Sequence, residues 1–487
     1  MNDAVTTIEP ASIEPENLVR TTDMEVVLKN QKKAFLHTPY PSVEQRREWL
    51  ATLKKALQDN QAALVEAINQ DFEGRAREET LLAEFMPSLN YIDYCSKKLG
   101  KWTKFSKRRV PLTMQPVSAK VIYQPLGVVG IVVPWNYPVF LAVGPLATAL
   151  AAGNRAMVKM SEFTPTTSEL LAKIIADIFP DNLVTVINGE AEVGAQFTAL
   201  PFDHILFTGS TQVGRHVMNA AARNLTPVTL ELGGKSPVIV DSDFPMSEVA
   251  ERVCYGKSLN AGQTCVAPDY ILVKKERQQE FIDAYLKAFS TMYPKVSDNP
   301  HYTAIINKRQ HDRLLGHIED ARAKGADIVI PENEQVSDGS RRLPPHLILN
   351  PTDDMTVMHE EIFGPLLPII GVDSIDQAID YVNSRPRPLA LYYFGGDKQV
   401  QEKVLTETHS GGVCLNETLF QVAIDDLPFG GIGPSGMGHY HGHEGFLTLS
   451  KAKAVVSKGK FNSVRMLFPP YDTSFKQSMI KYLSGSN

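Results

Sequence analysis

Cys265 is the residue of this chain whose type and setting best suit covalent chemistry. Its thiol follows a Gly-Gln-Thr triplet at 262–264, after a helical pattern at 246–255 and just before a β-rich run at 270–273. A thiol at such an element boundary could be exposed, and a thiolate readily attacks electrophilic carbon. The other cysteines lie inside apolar or periodic runs, where cysteine usually acts as a small buried hydrophobe. A free cysteine is more often such a hydrophobe than a nucleophile, and it is the residues elsewhere in the chain that lead us to expect Cys265 to be a nucleophile.

Two further side chains suit chemistry at a carbonyl carbon. Glu231 lies between Leu230 and Leu232, and apolar neighbours raise the pKa of a carboxyl toward the range useful for a general base. Asn136, in a loop between two prolines, offers an amide N–H that could bind an oxyanion. Each has a plainer interpretation: Glu231 could be a solvated carboxylate at a strand end, and Asn136 a turn residue.

The turn at Gly209 and Ser210 is a candidate phosphate site. It follows a strand pattern at 204–207 and opens a helix, so its backbone N–H groups and the helix dipole could bind a phosphate. A plain strand-to-helix turn would have the same pattern. The G-x-G-x-x-G match at 431–436 lacks a strand before it and a helix after it, which predicts a flexible loop. The Gly-Lys-Ser at 234–236 is not a P-loop, because Thr229 stands where the first glycine belongs.

Length and composition restrict the class of protein. A chain of 487 residues with 43% hydrophobic and 21% charged residues is typical of a soluble protein of two or more domains. A net charge of −6 argues against nucleic-acid partners, and two prolines and an asparagine at 134–138 break the longest apolar stretch, so no membrane span is expected. Four cysteines without paired spacing indicate a reducing compartment. We interpret residues 1–22 as a flexible leader and the protein as cytoplasmic.

Hydrophobic periodicity predicts the elements that position these residues. Helical spacing at 24–36, 43–71 and 75–104 predicts a helical layer. Beyond it, short β-branched strands alternate with helices through short connections, which is typical of a doubly wound parallel sheet. One of these helices, at 165–179, is expected to have Thr164 as its cap. The alternation resumes in the second half of the chain, which predicts a second α/β domain.

Six motifs carry a resemblance to a known superfamily. They lie at 133–138 (VPWNYP), 159–162 (KMSE), 207–210 (FTGS), 230–235 (LELGGK), 262–265 (GQTC) and 361–365 (EIFGP). Together they resemble the signature motifs of the NAD(P)-dependent aldehyde dehydrogenase superfamily. Within it, segments at 136–138, 268–270, 387–392 and 467–471 resemble the class 3 branch, in which the chain is most similar to the coniferyl aldehyde dehydrogenases.

The resemblance implies oxidation of an aldehyde to the carboxylic acid through a cysteine thiohemiacetal and a thioester. Cys265 would attack the carbonyl carbon, and the Asn136 amide with the Cys265 backbone N–H would bind the oxyanion. Glu231 would activate the water that hydrolyses the thioester. Relatives that transfer the acyl group to coenzyme A lack this base, so Glu231 favours release of the free acid.

The resemblance also implies a nicotinamide cofactor, NAD in preference, with NADP possible. Lys159 and Glu162 would bind the adenosine ribose, where a carboxylate accepts from both hydroxyls and repels a 2′-phosphate. Glu162 would also be favourable simply as an acid near a helix N-terminus. Glu361 and Phe363 would bind the nicotinamide end. The other expected cofactor contacts are Trp135, Gly209, Ser210, Thr211, Gln212, Val213 and Gly214.

A domain plan and a partner follow from the same resemblance. We expect an aldehyde dehydrogenase-like α/β fold of two doubly wound domains: a Rossmann-like cofactor domain (23–107 and 126–230) and a catalytic domain (231–428). A small bridging sheet would form from 108–125 and 447–459, followed by a C-terminal tail (460–487). The bridging sheet, with an edge strand at 451–458, would join two subunits of a homodimer.

Several alternatives remain open at this point. His439, His441 and His443 alternate, but no further ligands complete a site, so no metal is expected. The small-molecule substrate is expected to be coniferyl or another aromatic aldehyde, with medium- or long-chain aliphatic aldehydes as the alternative. A cysteine esterase without cofactor would leave Lys159 and Glu361 unexplained. A catalytically silent relative would need neither the nucleophile nor the base.

Overall fold

The computed structural model describes residues 21–111, 114–332, 340–462, 465 and 468–485. The expected leader, residues 1–22, lies outside the described residues except for its last two, which begin the first helix.

Helices occur along the whole described chain. They are α1 (Thr21–His37), α2 (Val43–Asp59), α3 (Gln61–Phe72), α4 (Arg77–Thr80), α5 (Met86–Trp102), α6 (Phe140–Ala152), α7 (Pro165–Ile178), α8 (Ala191–Thr198), α9 (Thr211–Ala222), α10 (Met246–Ser258), α11 (Gln278–Met292), α12 (Lys308–Ala323), α13 (Thr356–His359), α14 (Ile375–Asn383), α15 (Lys398–Glu407), α16 (Phe420–Ala423), α17 (Gly442–Thr448) and α18 (Ser474–Ser484).

The strands between them are short. They are β1 (Ser106–Arg108), β2 (Val117–Pro125), β3 (Val128–Val132), β4 (Arg155–Lys159), β5 (Val184–Ile187), β6 (His204–Thr208), β7 (Val228–Glu231), β8 (Pro237–Val240), β9 (Tyr270–Lys274), β10 (Asp327–Val329), β11 (His346–Leu349), β12 (Leu366–Val372), β13 (Ala390–Phe394), β14 (Gly412–Leu415), β15 (Gly436–Met437) and β16 (Ser450–Lys458).

These strands form three sheets. A six-stranded sheet has the order β15-β7-β6-β3-β4-β5 and is parallel except for β15, and a seven-stranded sheet has the order β10-β11-β12-β9-β8-β13-β14 and is parallel except for β10. The third sheet is antiparallel, in the order β1-β2-β16, and pairs Val117 with Lys458 and Pro125 with Ser450 at its ends. The expected pairing of the 119–124 and 451–458 segments is therefore observed.

The helical layer differs from its prediction in two places. The segment 43–71 forms two helices, because the Asn60 side chain donates to the carbonyl of Ala56 (2.9 Å) and closes α2. The segment 75–104 contains a π-turn at Leu81–Phe85 just before Pro87, whose ring nitrogen cannot donate to the helix ladder.

The N-terminus of α7 also departs from expectation. The side chain of Thr164 makes no capping hydrogen bond; instead the carboxylate of Asp71 accepts from the backbone N–H groups of Thr166 (2.9 Å) and Thr167 (2.8 Å). A cap supplied from another helix leaves no signal in the local sequence.

Two sheet edges face the same region of the molecule. Parallel strands place their carboxyl ends at one edge, where α/β sheets bind ligands. In the six-stranded sheet that edge carries the segments after β6 and β7, including Gly209 and Leu232. The segments after α10 and before β12 approach it from the seven-stranded sheet, since Gly262 lies against Gly364 and Gly233 lies against Glu361.

Candidate active site

Cys265 lies, partly buried, in the segment that joins α10 to β9. A 3₁₀ turn at Leu259–Gly262 precedes it, with Asn260 at φ 52°, Ala261 at φ 51° and Gly262 at φ 74°. A side chain on Gly262 would meet the carbonyl oxygen of Gly364 at 2.5 Å, so only glycine fits there. Consecutive left-handed residues cost energy and persist only where surrounding contacts hold them.

The contacts that hold this turn are made by Gln263 and Thr264, the two residues just before the thiol. Gln263 donates to the carbonyls of Asn260 (2.9 Å) and Ala304 (3.1 Å), and its side-chain oxygen accepts from the N–H of Ile306 (2.9 Å). The hydroxyls of Tyr137 and Thr264 are 2.7 Å apart. The backbone that carries Cys265 is therefore fixed immediately before the nucleophile.

Asn136 is fixed against this same segment. Its Nδ2 donates to the carbonyl of Gln263 (3.1 Å), and its own carbonyl accepts from Arg75 (3.0 Å) and from the Asn260 side chain (3.0 Å). An amide nitrogen has two N–H donors, so one stays available after the bond to Gln263. The geometry brings a candidate oxyanion donor next to the cysteine loop.

A buried ion pair between Arg75 and Glu84 holds the backbone of Asn136 in place. Arg75 and Glu84 are 3.0 Å apart, and neither side chain is exposed. The second oxygen of Glu84 accepts from the N–H groups of Val139 (2.7 Å) and Phe140 (3.1 Å) at the start of α6. Arg75 thus links the first turn of α6 to the Asn136 carbonyl.

Glu231 ends β7 with its side chain in the interior. It is 2% exposed, and neither of its carboxylate oxygens has a hydrogen-bond partner. Burial raises the pKa of this carboxyl well above its usual value, because the charged form loses its hydration. A carboxyl of raised pKa suits a general base near neutral pH.

Glu361 brings a second carboxyl into this region. Its oxygens lie so close to Gly233 that a side chain there would overlap them at 2.0 Å. Burial and the negative charge of Asp269 raise the pKa of Glu361 to about 8, against a smaller opposing contribution from the Gly234 N–H. Burial, then Glu361, then Glu231 raise the pKa of the Cys265 thiol to about 12. Burial, and the two carboxyls where they are ionised, therefore favour the protonated thiol in this arrangement.

A cavity of about 700 Å³ joins these groups. Most of the sequence-predicted site residues line it: Cys265, Glu231, Asn136, Trp135, Gly209, Ser210, Thr211, Gln212, Glu361 and Phe363. Trp135 and Phe363 meet edge to face, with ring centroids 5.3 Å apart.

Three observations indicate that the cavity can hold a dinucleotide. Its volume is that of an ordinary ligand site. The N-terminus of α9 lines it at Ser210, Thr211 and Gln212, and the backbone N–H groups of a first helical turn are of the kind that binds phosphate; the N–H of Val213 already donates to the Ser210 hydroxyl. The hydroxyl of Thr208 and one oxygen of Glu361 are buried without partners and could receive hydroxyl or amide groups of a ligand.

Four predicted cofactor residues lie outside this cavity lining. Lys159 ends β4, 3% exposed, and donates to the carbonyls of Met160 (2.6 Å) and Gly189 (2.7 Å). Glu162 follows it, partly buried. Val213 is exposed, and Gly214 lets α9 pack against Leu232, whose methyl group a side chain would meet at 2.7 Å. Lys159 and Glu162 still lie at the carboxyl-end edge of the sheet, because Lys159 ends β4 and β4 runs parallel to β3 and β6.

Several residues at the site were not predicted. Lys235, Asp269 and Arg313 form polar contacts beside Glu361. Lys235 and Asp269 appeared in the sequence only as members of motifs, at 230–235 and 268–270, with no role of their own. The Tyr440 hydroxyl is buried without a partner, and burial, Glu231 and Cys265 raise its pKa.

Two further expectations concern metals and membranes. Within the described ranges, no group of three or more His, Cys, Asp or Glu residues is arranged to hold a metal ion. His441 instead packs among aromatic rings, 5.2 Å from that of Phe429. Among the helices described by the structure, none has both the length and the apolar character to cross a bilayer.

Comparison with known proteins establishes the family to which the chain belongs. Residues 6–455 match the aldehyde dehydrogenase family. A probable coniferyl aldehyde dehydrogenase of Pseudomonas aeruginosa is 59% identical over 94% of this chain and 96% of its own length. Aldehyde dehydrogenase family 3 member B3 of Mus musculus is 37% identical over 96% of each chain.

Solved structures give the same result. AldH of Staphylococcus aureus, in a substrate-bound state, superposes with a TM-score of 0.89 at 36% identity, over 96% of this chain and all of that one. An aldehyde dehydrogenase of Mycobacterium tuberculosis complexed with NAD⁺ superposes with a TM-score of 0.82 at 30% identity, over 91% of each chain. The predicted α/β fold and the class 3 resemblance are confirmed. The chain belongs to the aldehyde dehydrogenase family and is an NAD(P)-dependent oxidoreductase acting on aldehydes.

Proposed function

We propose that the chain oxidises an aromatic aldehyde, coniferyl aldehyde or a close analogue, to the carboxylic acid with NAD. Cys265 is the nucleophile, Asn136 and the Cys265 N–H bind the oxyanion, and Glu231 is the general base. The single observation that carries these roles is that one cavity is lined by the thiol, the amide and the unpaired buried carboxyl.

The residues of the chain act in sequence on the bound aldehyde. After the Cys265 thiol gives its proton to solvent, the sulfur attacks the carbonyl carbon, and the electron pair of the broken C=O π bond makes the oxygen an oxyanion held by Asn136 Nδ2. A bound nicotinamide dinucleotide supplies the acceptor for the hydride that leaves this carbon. Glu231 then removes a proton from the water that attacks the resulting thioester, and the acid departs from Cys265.

The substrate class is supported by relatives. The P. aeruginosa protein at 59% identity is a probable coniferyl aldehyde dehydrogenase, and a coniferyl aldehyde dehydrogenase of Pseudomonas sp. is 48% identical. Medium- and long-chain aliphatic aldehydes are the alternative.

NADH formation with coniferaldehyde, benzaldehyde, hexanal and decanal tests this proposal. We expect kcat/KM to be highest for coniferaldehyde and NADP to be poorer than NAD. Cys265→Ala should abolish turnover, whereas Cys414→Ala, at the other partly exposed cysteine, should retain it. A higher kcat/KM for decanal than for coniferaldehyde would show that the substrates are aliphatic rather than aromatic aldehydes. Activity in Cys265→Ala would refute the role of Cys265 as the nucleophile.

Glu162 and Lys159 are proposed to bind the adenosine ribose, at the carboxyl end of β4. Their place at the ligand-binding edge supports this role. We expect Glu162→Gln to narrow the preference for NAD over NADP by about tenfold, because it removes the repulsion of a 2′-phosphate. Unchanged kcat/KM for NADP would contradict the assignment.

The domain plan is proposed with the boundaries given above: a cofactor domain (23–107 and 126–230), a catalytic domain (231–428) and a bridging sheet (108–125 with 447–459). The separation of the strands into three sheets supports it. The bridging sheet and the tail (460–487) are proposed to form a homodimer interface. We also propose a cytoplasmic location, supported by four cysteines that are all free.

A further inference from the structure

The segment that carries Glu361 is held by side chains from other elements. This Glu361 loop, residues 360–365, runs from the end of α13 to the start of β12. It has no regular secondary structure, and Phe363 within it has φ 47°. Such a loop cannot satisfy its own backbone groups, so its position depends on partners elsewhere.

Lys235 and Asp269 supply the first set of partners. Lys235 Nζ donates to the carbonyls of Val357 (2.7 Å) and Glu360 (3.0 Å). The same ammonium forms an ion pair with one oxygen of Asp269, and the other oxygen accepts from the N–H of Ile362 (3.0 Å). The pair therefore binds the backbone immediately before and after Glu361.

Arg313, on α12, supplies the second set. Its guanidinium donates to the carbonyl of Ile362 (2.7 Å) and, at a longer distance, to that of Glu361 itself (3.4 Å). It also lies 3.0 Å from the ring nitrogen of His317, whose other nitrogen is 2.9 Å from Thr356. The loop is thus held from three separate segments: the β7–β8 connection, the residue before β9, and α12.

Stability alone does not account for these charges. The side chains of Lys235 and Asp269 are only 12% and 4% exposed. Removing two charges from water is expensive, and well-packed apolar residues are often as stabilising as a buried pair. What the charges add here is direction, because each hydrogen bond fixes one backbone group of the loop.

We propose that Lys235, Asp269 and Arg313 form a clamp that positions the Glu361 carboxylate for the nicotinamide end of the cofactor. The inference rests on the proposed role of Glu361 in cofactor binding. The clamp residues act through Glu361 and are positioning residues. The Gly-Lys-Ser at 234–236, which has no phosphate-loop role, gains a function in this way.

A released loop should affect cofactor binding directly and should affect the thiol only through the charge of Glu361, which contributes less than burial to the pKa of Cys265. An activated ester such as 4-nitrophenyl acetate acylates Cys265 and expels 4-nitrophenolate, which leaves an acetyl thioester on the same sulfur without hydride transfer. Hydrolysis of 4-nitrophenyl acetate therefore reports on Cys265 and Glu231 independently of the cofactor. Fluorescence titration with NADH reports on binding independently of turnover.

The test compares Asp269→Asn, Arg313→Lys, Glu361→Ala and the double variant Asp269→Asn/Glu361→Ala. An asparagine has one side-chain acceptor oxygen and cannot serve both Lys235 and Ile362. Lys324→Met is the matched control, because Lys324 likewise joins a carbonyl (Asp354, 2.6 Å) to an aspartate (Asp320, 2.7 Å), away from the cavity lining.

We expect each single clamp variant to bind NADH about tenfold more weakly, with ester hydrolysis within about twofold of wild type. The double variant should bind NADH no more weakly than Glu361→Ala alone, because residues that act through one group are not additive. If the three residues only stabilised the fold, their substitution would lower ester hydrolysis as well. The loss of NADH affinity in the double variant would then exceed the loss in Glu361→Ala alone.

Failure of the clamp is distinguishable from failure of the proposed function. Wild-type NADH affinity in Glu361→Ala would refute the role of Glu361 and the clamp with it. The clamp alone would be overturned if Glu361→Ala bound NADH weakly while Asp269→Asn and Arg313→Lys bound it like the wild type. It would also be overturned if the losses of NADH affinity were additive in the double variant. Arg313→Lys keeps the test valid if Asp269→Asn does not fold.

Discussion

Asn136 is held in position before any substrate binds. Its amide donates to the carbonyl of Gln263, and its backbone carbonyl accepts from Arg75 and Asn260. A donor that is already oriented needs no reorganisation when charge develops on the substrate oxygen. The remaining N–H of the amide is thereby available to the oxyanion, next to the loop of the nucleophile.

Asn136→Ala should lower kcat by about 10² to 10³-fold, the usual effect of losing one oxyanion donor. KM for the aldehyde should change little, since the donor acts in the transition state. Steady-state kinetics measure both values. Asn90→Ala, on the exposed face of α5, is the matched control and should be neutral. A kcat for Asn136→Ala close to that of this control would refute the role.

Glu361 is a second residue whose environment has a measurable effect, because its protonation makes the stability of the folded protein depend on pH. Its pKa is raised from 4.5 to about 8, so the folded protein keeps a proton that the unfolded chain releases. Stability therefore falls as the pH rises through this window, because the unfolded state binds fewer protons.

Glu361→Gln should remove this contribution to the pH dependence. The Tm of the variant minus that of wild type should become more positive between pH 5 and pH 8, since about 8 is the raised pKa. Thermal unfolding at a series of pH values without cofactor measures the difference. Glu402→Gln, on the exposed face of α15, should show no such trend. A difference that is constant or falls with pH would contradict the expected titration.

At the scale of elements, the sequence predicts those whose periodicity is strong. Between β3 and β9 the strands and most of the helices were predicted, because apolar strands alternate there with amphipathic helices; α8 (Ala191–Thr198) was missed, and α10 ends three residues beyond its predicted end. Strands β1 and β14 were missed, since β1 is charged and exposed and β14 is only four half-buried residues. The strand β11 follows two prolines and was also missed.

The site was predicted to a similar extent. Motif residues such as Cys265 and Glu231 could be found because their chemistry needs those residue types. The partners that hold them could not, since Arg75 meets Glu84 and Asn136 only through the packing of helices on the sheet. A buried ion pair in a helical pattern looks the same in the sequence as two exposed charges.

Arg75→Met tests that packing. It leaves Glu84 buried without its cation, so the free energy of unfolding should fall by about 3–5 kcal/mol. Denaturant unfolding measures the change. Arg77→Met is the matched control: its side chain is 67% exposed, and its loss should cost at most about 1 kcal/mol. Equal stabilities of the two variants would show that the pair does not support the site.

At the scale of the whole molecule, the bridging sheet and the tail expose large apolar side chains. Strand β16 is an edge of its sheet, and Val456 on it is 70% exposed. Helix α18 buries none of its residues, and Tyr482 on it is 87% exposed. An open strand edge beside exposed apolar residues is typical of a surface that pairs with another chain.

Val456→Asp should therefore weaken the proposed homodimer. Light scattering coupled to gel filtration is expected to give twice the chain mass for wild type and a shift toward monomer for the variant. Leu225→Asp, at a residue that is 89% exposed outside the bridging sheet, should remain dimeric. A monomeric wild type would refute the dimer.

The most direct measurement of the chemistry is the mass of the peptide that contains Cys265. Glu231→Gln should hydrolyse its thioester slowly, so acid quenching after addition of NAD and coniferaldehyde should leave an acyl group on this peptide. We expect a mass increase equal to the aldehyde minus two hydrogen atoms, at Cys265 and at no other cysteine. An unmodified Cys265 peptide during turnover, or an acyl group on Cys414 instead, would contradict the proposed mechanism.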